Sequence, residues 1–138
     1  MRFLVFLIPG DPQVESGKLP DPRGVAAMMK YNQALANAGV LLGTDGLQPS
    51  AKGARIRFAG GRATVSDGPF AAADPIATTY WLWQVNSKQE AVDWASRCPA
   101  GDGDVLELRQ VSELGLRALR RTSGRRTGRD GRPARPRR

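Results

Sequence analysis

Residues 64–75 read TVSDGPFAAADP, and the chain changes character within them. An alternating run ends at Asp67-Gly68-Pro69-Phe70 and passes into a segment of small residues that closes with Asp74-Pro75. Glycine and proline at these places interrupt regular structure, so the tetrapeptide predicts a turn at the end of a strand. The segments on either side decide the fold to which this turn belongs.

A β-hairpin is predicted immediately before the turn. Residues 54–59 and 62–66 flank Gly60-Gly61, and a two-residue glycine connection between strand-like runs is typical of a hairpin. In the first strand, two apolar side chains alternate with Arg55 and Arg57, which places basic and apolar side chains on opposite faces. We interpret the basic face as solvated, with capture of an anion as a second interpretation.

A strand, a helix and a last strand are predicted after the turn. Residues 78–85, TTYWLWQV, are dense in β-branched and aromatic residues, which favour a strand. Trp81 and Trp83 share one face, which we interpret as core or dimer interface. Ser87-Lys88-Gln89-Glu90 forms a capping box that opens a helix, and residues 104–112 predict the last strand.

The first third of the chain predicts a strand and a long helix. Residues 2–8, RFLVFLI, are almost continuously apolar, as in a strand with both faces covered. Asp21-Pro22 is a favourable helix start, and the apolar spacing predicts a helix over residues 22–38. A short strand at residues 40–42 and an irregular turn at residues 43–46 are expected to follow.

The order of these elements predicts an α+β fold. Strands mixed with two helices that need a face to cover favour an antiparallel sheet with both helices on one side. The second face of such a sheet stays uncovered. Because soluble monomers avoid large exposed apolar patches, we expect a homodimer in which two sheets pack against each other.

The net charge of +8 is confined to the end of the chain. Residues 117–138 hold ten of the 21 basic residues and one of the 13 acidic residues, so the remainder carries a net charge of −1. The composition predicts a domain at residues 1–115 and a disordered Arg-rich tail at residues 116–138. The tail is interpreted as a solvated extension, with nucleic-acid binding through counterion release as a further hypothesis.

The composition also excludes several kinds of chemistry. The chain has no histidine, which rules out a histidine-dependent mechanism, and its single cysteine, Cys98, cannot form an intrachain disulfide. No metal site and no cofactor are expected. The opening apolar run is too short for a signal peptide or a membrane span, so we expect a cytoplasmic protein without membrane contact.

Several blocks in the right order resemble the YCII-related, or DGPF-domain, family. They are Gly46-Leu47-Gln48-Pro49-Ser50, Asp67-Gly68-Pro69-Phe70-Ala71, Trp81-Leu82-Trp83-Gln84-Val85 and Glu107-Leu108-Arg109-Gln110-Val111. The resemblance implies a ferredoxin-like unit that pairs into a dimeric α+β barrel, with a cleft between the sheet and nearby loops. The resemblance points to no particular reaction, because none is generally established for the family. Some members are associated with extracytoplasmic-function sigma factors.

The chain departs from the family pattern at several places, including Ala77-Thr78-Thr79, where relatives are usually glycine-rich. YCII proteins are associated with a His–Asp pair, which cannot exist here because histidine is absent. Relatives commonly continue Ala-Glu after DGPF, whereas this chain has Ala72, Ala73 and Asp74-Pro75.

From the resemblance we expect binding of a small molecule in the cleft of a dimeric barrel. The alternative is a non-catalytic interaction module associated with transcriptional regulation through a sigma factor.

Six residues are candidates for the site, and the two carboxylates and two tyrosines among them each have a structural alternative. Carboxylates can serve as acids, bases or ligand anchors when burial shifts their pKa, and phenols can donate hydrogen bonds. The candidates are Asp67 and Asp45 as catalytic carboxylates, Tyr31 and Tyr80 as donors, and Gly68 and Phe70 as ligand contacts. The structural alternatives are turn residues for the two carboxylates and core aromatics for the two tyrosines.

Overall fold

The structure, a computed structural model, describes residues 1–17, 19–71 and 74–113. The predicted tail and its proposed nucleic-acid contacts lie outside these residues. The elements in chain order are β1 (Arg2–Ile8), α1 (Pro22–Asn37), β2 (Leu41–Gly46), β3 (Ala54–Ala59), β4 (Arg62–Asp67), β5 (Thr79–Gln84), α2 (Lys88–Ser96) and β6 (Val105–Gln110), with short 3-10 helices at Pro12–Ser16 and Ser50–Lys52.

Four strands form one antiparallel sheet in the order β2-β5-β1-β6. Without the hairpin, the chain follows the β-α-β-β-α-β order of a ferredoxin-like fold, with its first and third strands in the middle of the sheet. Among the described strands, β3 and β4 pair only with each other and form a separate hairpin, inserted between β2 and β5. The predicted α+β, ferredoxin-like fold is confirmed.

The core lies between one face of the sheet and the two helices. Val5, Trp81 and Trp83 are completely buried and project from the central strands towards Leu35 of α1 and Ala91 of α2. These residues alternate with outward-facing neighbours, as the period of a strand requires. The interpretation of the two tryptophans as core residues is therefore confirmed.

Both helices begin where the sequence predicts. Asp21 caps α1 by accepting a hydrogen bond from the backbone N–H of Arg23 at 2.9 Å. The Ser87 hydroxyl accepts one from the backbone N–H of Glu90 at 3.1 Å, and the Glu90 carboxylate accepts one from Asn86 at 2.8 Å. The capping box thus satisfies backbone donors at the start of α2.

The prediction of an irregular turn at residues 43–46 was wrong. Residues Leu41–Gly46 form the edge strand β2, which pairs with β5 and contains an irregularity between Leu41 and Gly43. The hydroxyl of Thr44 also donates a hydrogen bond to the Tyr80 carbonyl at 2.8 Å. Pairing across the sheet thus overrides the low strand propensity of Gly-Thr-Asp-Gly.

Two apolar surfaces remain without a covering element among the described residues. The first is the outer face of the sheet, where Leu4, Phe6 and Leu82 point away from the helices and are half-buried. The second is one face of the hairpin, where Ile56 is 56%, Phe58 79% and Val65 63% exposed. An isolated two-stranded hairpin is only marginally stable in water, so its root must be held by other contacts.

Candidate functional site

Gly68 fixes the root of the hairpin against the segment before β3. Its backbone N–H donates to the Gly53 carbonyl at 3.0 Å, and the following Gly68–Pro69 peptide bond is cis. A Cβ atom at residue 68 would lie 1.7 Å from the Ser50 carbonyl oxygen. Only glycine permits this approach of the two backbones, which explains the glycine of the Asp-Gly-Pro-Phe turn.

Ser50 joins three segments at this root. It is 7% exposed, its hydroxyl donates to Glu15 Oε2, and its backbone N–H donates to Glu15 Oε1 at 3.1 Å. The same hydroxyl accepts a hydrogen bond from the backbone N–H of Phe70 at 2.9 Å. We call these contacts of Glu15, Ser50 and Phe70 the Ser50 junction; it ties the loop after β1 to the turn after β4.

A cavity of about 480 Å³ opens beside the Ser50 junction. The loop after β1 forms one wall, and residues 69–70 and 74–76 form the other. Its apolar walls include Ile8, Val14, Phe70 and Ile76, and its carboxylates are Asp11, Glu15 and Asp74. A concave, mainly apolar space with a few polar groups is the usual form of a small-molecule site, and this volume is typical of one.

Phe70 also supports an arginine on the hairpin. The guanidinium carbon of Arg55 lies 3.8 Å from the centroid of the Phe70 ring, and its Nη1 lies 2.9 Å from Asp74 Oδ2. Both charged side chains are about half-exposed, so the ion pair adds little stability by itself. Its importance is positional, because stacking and pairing together hold Arg55 beside the turn.

The candidate residues fall into three separate places. Gly68 and Phe70 lie at the Ser50 junction, and Asp67 ends β4 close to them. The carboxylate of Asp67 is exposed and makes no hydrogen bond with the described residues, so it does not cap the turn there. Of these three residues, Phe70 lines the cavity beside the junction.

Asp45 and Tyr80 form a pair away from that cavity. They face each other across β2 and β5, and the Tyr80 hydroxyl donates to Asp45 Oδ2 at 2.7 Å. This hydrogen bond, followed by the negative charge of Asp45, raises the pKa of Tyr80. The pair lies on the outer face of the sheet and ties the edge strand to its neighbour.

Tyr31 belongs to the core on the other side of the sheet. It is 7% exposed, and its hydroxyl donates to the Trp94 carbonyl at 2.6 Å. Burial raises its pKa, so the phenol remains a neutral donor whose proton is already used. Tyr31 and Tyr80 therefore do not line one cleft, and the structural alternative describes Tyr31.

The described residues bear on three further features: a reactive thiol, a metal site and a membrane-spanning helix. Burial, and then the charge of Asp104, raises the pKa of the Cys98 thiol to about 11, so a reactive thiolate is scarce at neutral pH. In residues 1–17, 19–71 and 74–113, no three metal-ligating side chains converge. No helix in the same part of the chain is long and apolar enough to cross a membrane.

Sequence reasoning missed Glu15 and Ser50 as partners at this site, and it considered Arg55 for anion capture without its contacts to Phe70 and Asp74. Ser50 belongs to the block Gly46-Leu47-Gln48-Pro49-Ser50, which provided a signal near it but no role. Glu15 lies in a polar loop without periodicity, and its contact with Ser50 spans 35 residues. No local pattern reports such a contact, whereas the Gly-Pro turn at its other end was visible.

Comparison with known proteins identifies the domain. No curated protein matches the chain. The sequence model of the YCII-related domain matches residues 1–115, which include every element described above. The chain is therefore a member of the YCII-related domain family.

Proposed function

We propose that the protein binds a small molecule in the cavity beside the Ser50 junction and does so as one protomer of a homodimer. The observation that carries the proposal is the cavity itself, of about 480 Å³, with apolar walls and three carboxylates. Hydrogen bonds of the buried Ser50 fix both walls, so the space is formed before a ligand arrives. A preformed site avoids the entropic cost of ordering loops on binding.

The apolar walls indicate which chemical groups a ligand of this cavity would carry. Phe70 and Ile76 provide contact area for a ring or an aliphatic body, while polar groups are confined to a few positions. The proposal concerns binding only. Neither catalytic candidate lines this cavity, since Asp45 pairs with Tyr80 on the outer sheet face and Asp67 ends the hairpin.

Filling the cavity tests this proposal with a matched control. Val14 lines the cavity and Val92 lies on α2, and both are 37% exposed. We expect a library of small acids, amines and ring metabolites to contain compounds that raise the thermal midpoint of the full chain in proportion to concentration. Val14→Trp should abolish that response and Val92→Trp should preserve it. Equal responses in the two variants would disprove the cavity as the site.

The uncovered apolar outer face of the sheet supports the homodimer. Leu4, Phe6 and Leu82 form an apolar surface on which no described element packs. Burying such a surface against a second copy removes it from water, and a two-fold interface needs only one self-complementary patch. Sedimentation at micromolar concentration should give about twice the protomer mass of 14.9 kDa. A single species at the protomer mass would contradict the homodimer.

The hairpin favours a second candidate, a non-catalytic interaction module. Ile56, Phe58 and Val65 are the three most apolar contacts that the hairpin offers, and all are more than half exposed. A sigma factor is the partner implied by the family resemblance. Titrating a purified extracytoplasmic-function sigma factor into the full chain should then show saturable binding that Phe58→Glu abolishes. No binding at micromolar concentration, together with a ligand found for the cavity, would rule this candidate out.

A further inference from the structure

A second cavity, of about 430 Å³, lies on the hairpin side of Phe70. Of the described lining residues, it shares Pro69 and Phe70 with the cavity beside the Ser50 junction. Its wall is more polar, because one strand contributes two arginines and the facing strand contributes a hydroxyl. The polar and aromatic lining residues are Arg55, Arg57, Ser66, Asp67 and Phe70.

The two arginines lie side by side on one hairpin face. Arg55 and Arg57 are two residues apart on β3, so their side chains project in the same direction about 7 Å apart. Ser66 pairs with Arg55 across the hairpin and shares that face. The register places Asp67 on the opposite face, with Ile56, and both residues contribute to the cavity lining from that side.

The contacts of Arg55 hold its guanidinium in place. It is stacked on Phe70 at 3.8 Å, and Phe70 is fixed through its backbone N–H to the buried Ser50 hydroxyl. Asp74 occupies one edge of the guanidinium at 2.9 Å. Arg57 makes no hydrogen bond or ion pair with the described residues. The guanidinium of Arg55 is therefore held in position, and that of Arg57 is available to bind a ligand.

We propose that this second cavity is an oxyanion-binding subsite that accepts the carboxylate or phosphate group of a small molecule. Arg55 and Arg57 supply paired N–H donors, which suit the planar, multidentate geometry of an oxyanion. Ser66 adds a hydroxyl donor from the facing strand. The ring of Phe70 offers a surface for an aromatic or aliphatic body attached to the anion.

Asp74 competes with an external anion for Arg55. It lines the cavity beside the Ser50 junction, and from there its carboxylate accepts a hydrogen bond from Arg55 Nη1 at 2.9 Å. Because both partners are about half-exposed, water screens the pair and the carboxylate is displaced at small cost. Removing the carboxylate charge should therefore strengthen binding of an external anion.

Benzoate and inorganic phosphate are suitable probes, and benzylamine is the cationic counterpart of benzoate. Backbone amide NMR of the full chain at constant ionic strength separates this subsite from general attraction by the ten C-terminal arginines, because it reports each residue individually. We expect saturable shifts at Arg55, Arg57 and Ser66 with benzoate and none with benzylamine. A carboxylate-specific site responds to benzoate more than to phosphate, and a phosphate site does the reverse. No saturable shift with either anion would overturn the proposal.

Two charge-matched variants complete the test. Arg57→Gln removes an arginine that lines the cavity, whereas Arg62→Gln removes one near the hairpin tip that does not line it. We expect at least tenfold weaker anion binding in Arg57→Gln and unchanged binding in Arg62→Gln. Asp74→Asn should bind severalfold more tightly than the unmodified chain. Equal losses in the two arginine variants would show nonspecific charge attraction and overturn the proposal. This conclusion does not depend on the Val14→Trp test of the cavity beside the Ser50 junction.

Discussion

Large apolar side chains are buried in the helix–sheet core and exposed on the hairpin. In the core, Trp81 and Trp83 are completely buried between the sheet and the helices. On the hairpin, Phe58 is 79% exposed, and every residue of both strands is exposed. The core is stabilised by burial of apolar area, whereas the hairpin is anchored at its root by a glycine approach and a buried serine. Both cavities lie at that root, where the hairpin joins the rest of the domain.

The root should be most sensitive at Gly68. A Cβ at residue 68 would clash with the Ser50 backbone, so we expect Gly68→Ala to lower the free energy of unfolding by about 3 kcal/mol. Gly24 in α1 has open space around it, so Gly24→Ala should instead raise stability by about 0.5–1 kcal/mol. Urea denaturation of the two variants measures both effects. Equal effects would show that the root does not depend on the close approach.

Ser50→Ala should weaken the same root by less. The change leaves the Phe70 N–H and a Glu15 carboxylate oxygen without their partner, at a cost of about 1–3 kcal/mol. Amide hydrogen exchange should accelerate at Phe70 and remain slow at core residues such as Val5. Ser66→Ala, on the exposed hairpin, is the control and should change neither exchange rate. Uniform acceleration throughout the chain would contradict a local role for Ser50.

The two core tryptophans should differ in tolerance. Trp81 Nε1 donates to Asn32 Oδ1 at 2.8 Å, whereas the buried Trp83 Nε1 finds no partner among the described residues. Trp81→Phe therefore loses a hydrogen bond and orphans an amide oxygen, while Trp83→Phe removes an unpaired donor. We expect Trp81→Phe to be less stable than Trp83→Phe by about 1–2 kcal/mol in denaturant unfolding. The reverse order would contradict this assignment of the indole contacts.

Phe58→Ala should have the smallest effect. The side chain is 79% exposed and contributes little apolar burial, so unfolding free energy should change by less than about 0.5 kcal/mol. Phe3→Ala, at a residue that is 3% exposed, should cost about 3–5 kcal/mol. Thermal or urea unfolding of the two variants compares them directly. A large loss in Phe58→Ala would mean that the hairpin is buried in solution.

Local signals were sufficient for most of the fold. Asp21-Pro22 and the Ser87–Glu90 capping box act within one helical turn, and Gly60-Gly61 has positive φ at both residues, as the tight connection requires. Residues 43–46 were misread because their glycines and aspartate favour turns, whereas pairing with β5 determines their conformation. Propensity yields to tertiary context at such an edge strand.

The candidate site was less predictable because distant segments build it. Phe70 could be found from the family turn, but its supports come from Ser50 and, through Ser50, from Glu15. The tyrosines were attractive because of residue type alone. Strand alternation already separates Tyr80 from Trp81, but only the position of α1 shows that Tyr31 lies with the tryptophan. Side-chain chemistry was visible in the sequence, and its grouping in space was not.

Amide NMR mapping of a stabilising compound tests the central claim most directly. A compound from the thermal screen would be titrated into the full chain, and shifted amides would be compared between the cavity beside the Ser50 junction and the outer sheet face. The account predicts saturable shifts around Val14, Phe70 and Ile76, lost in Val14→Trp. Shifts centred on Asp45 and Tyr80 instead would place the ligand on the outer sheet face and contradict the account.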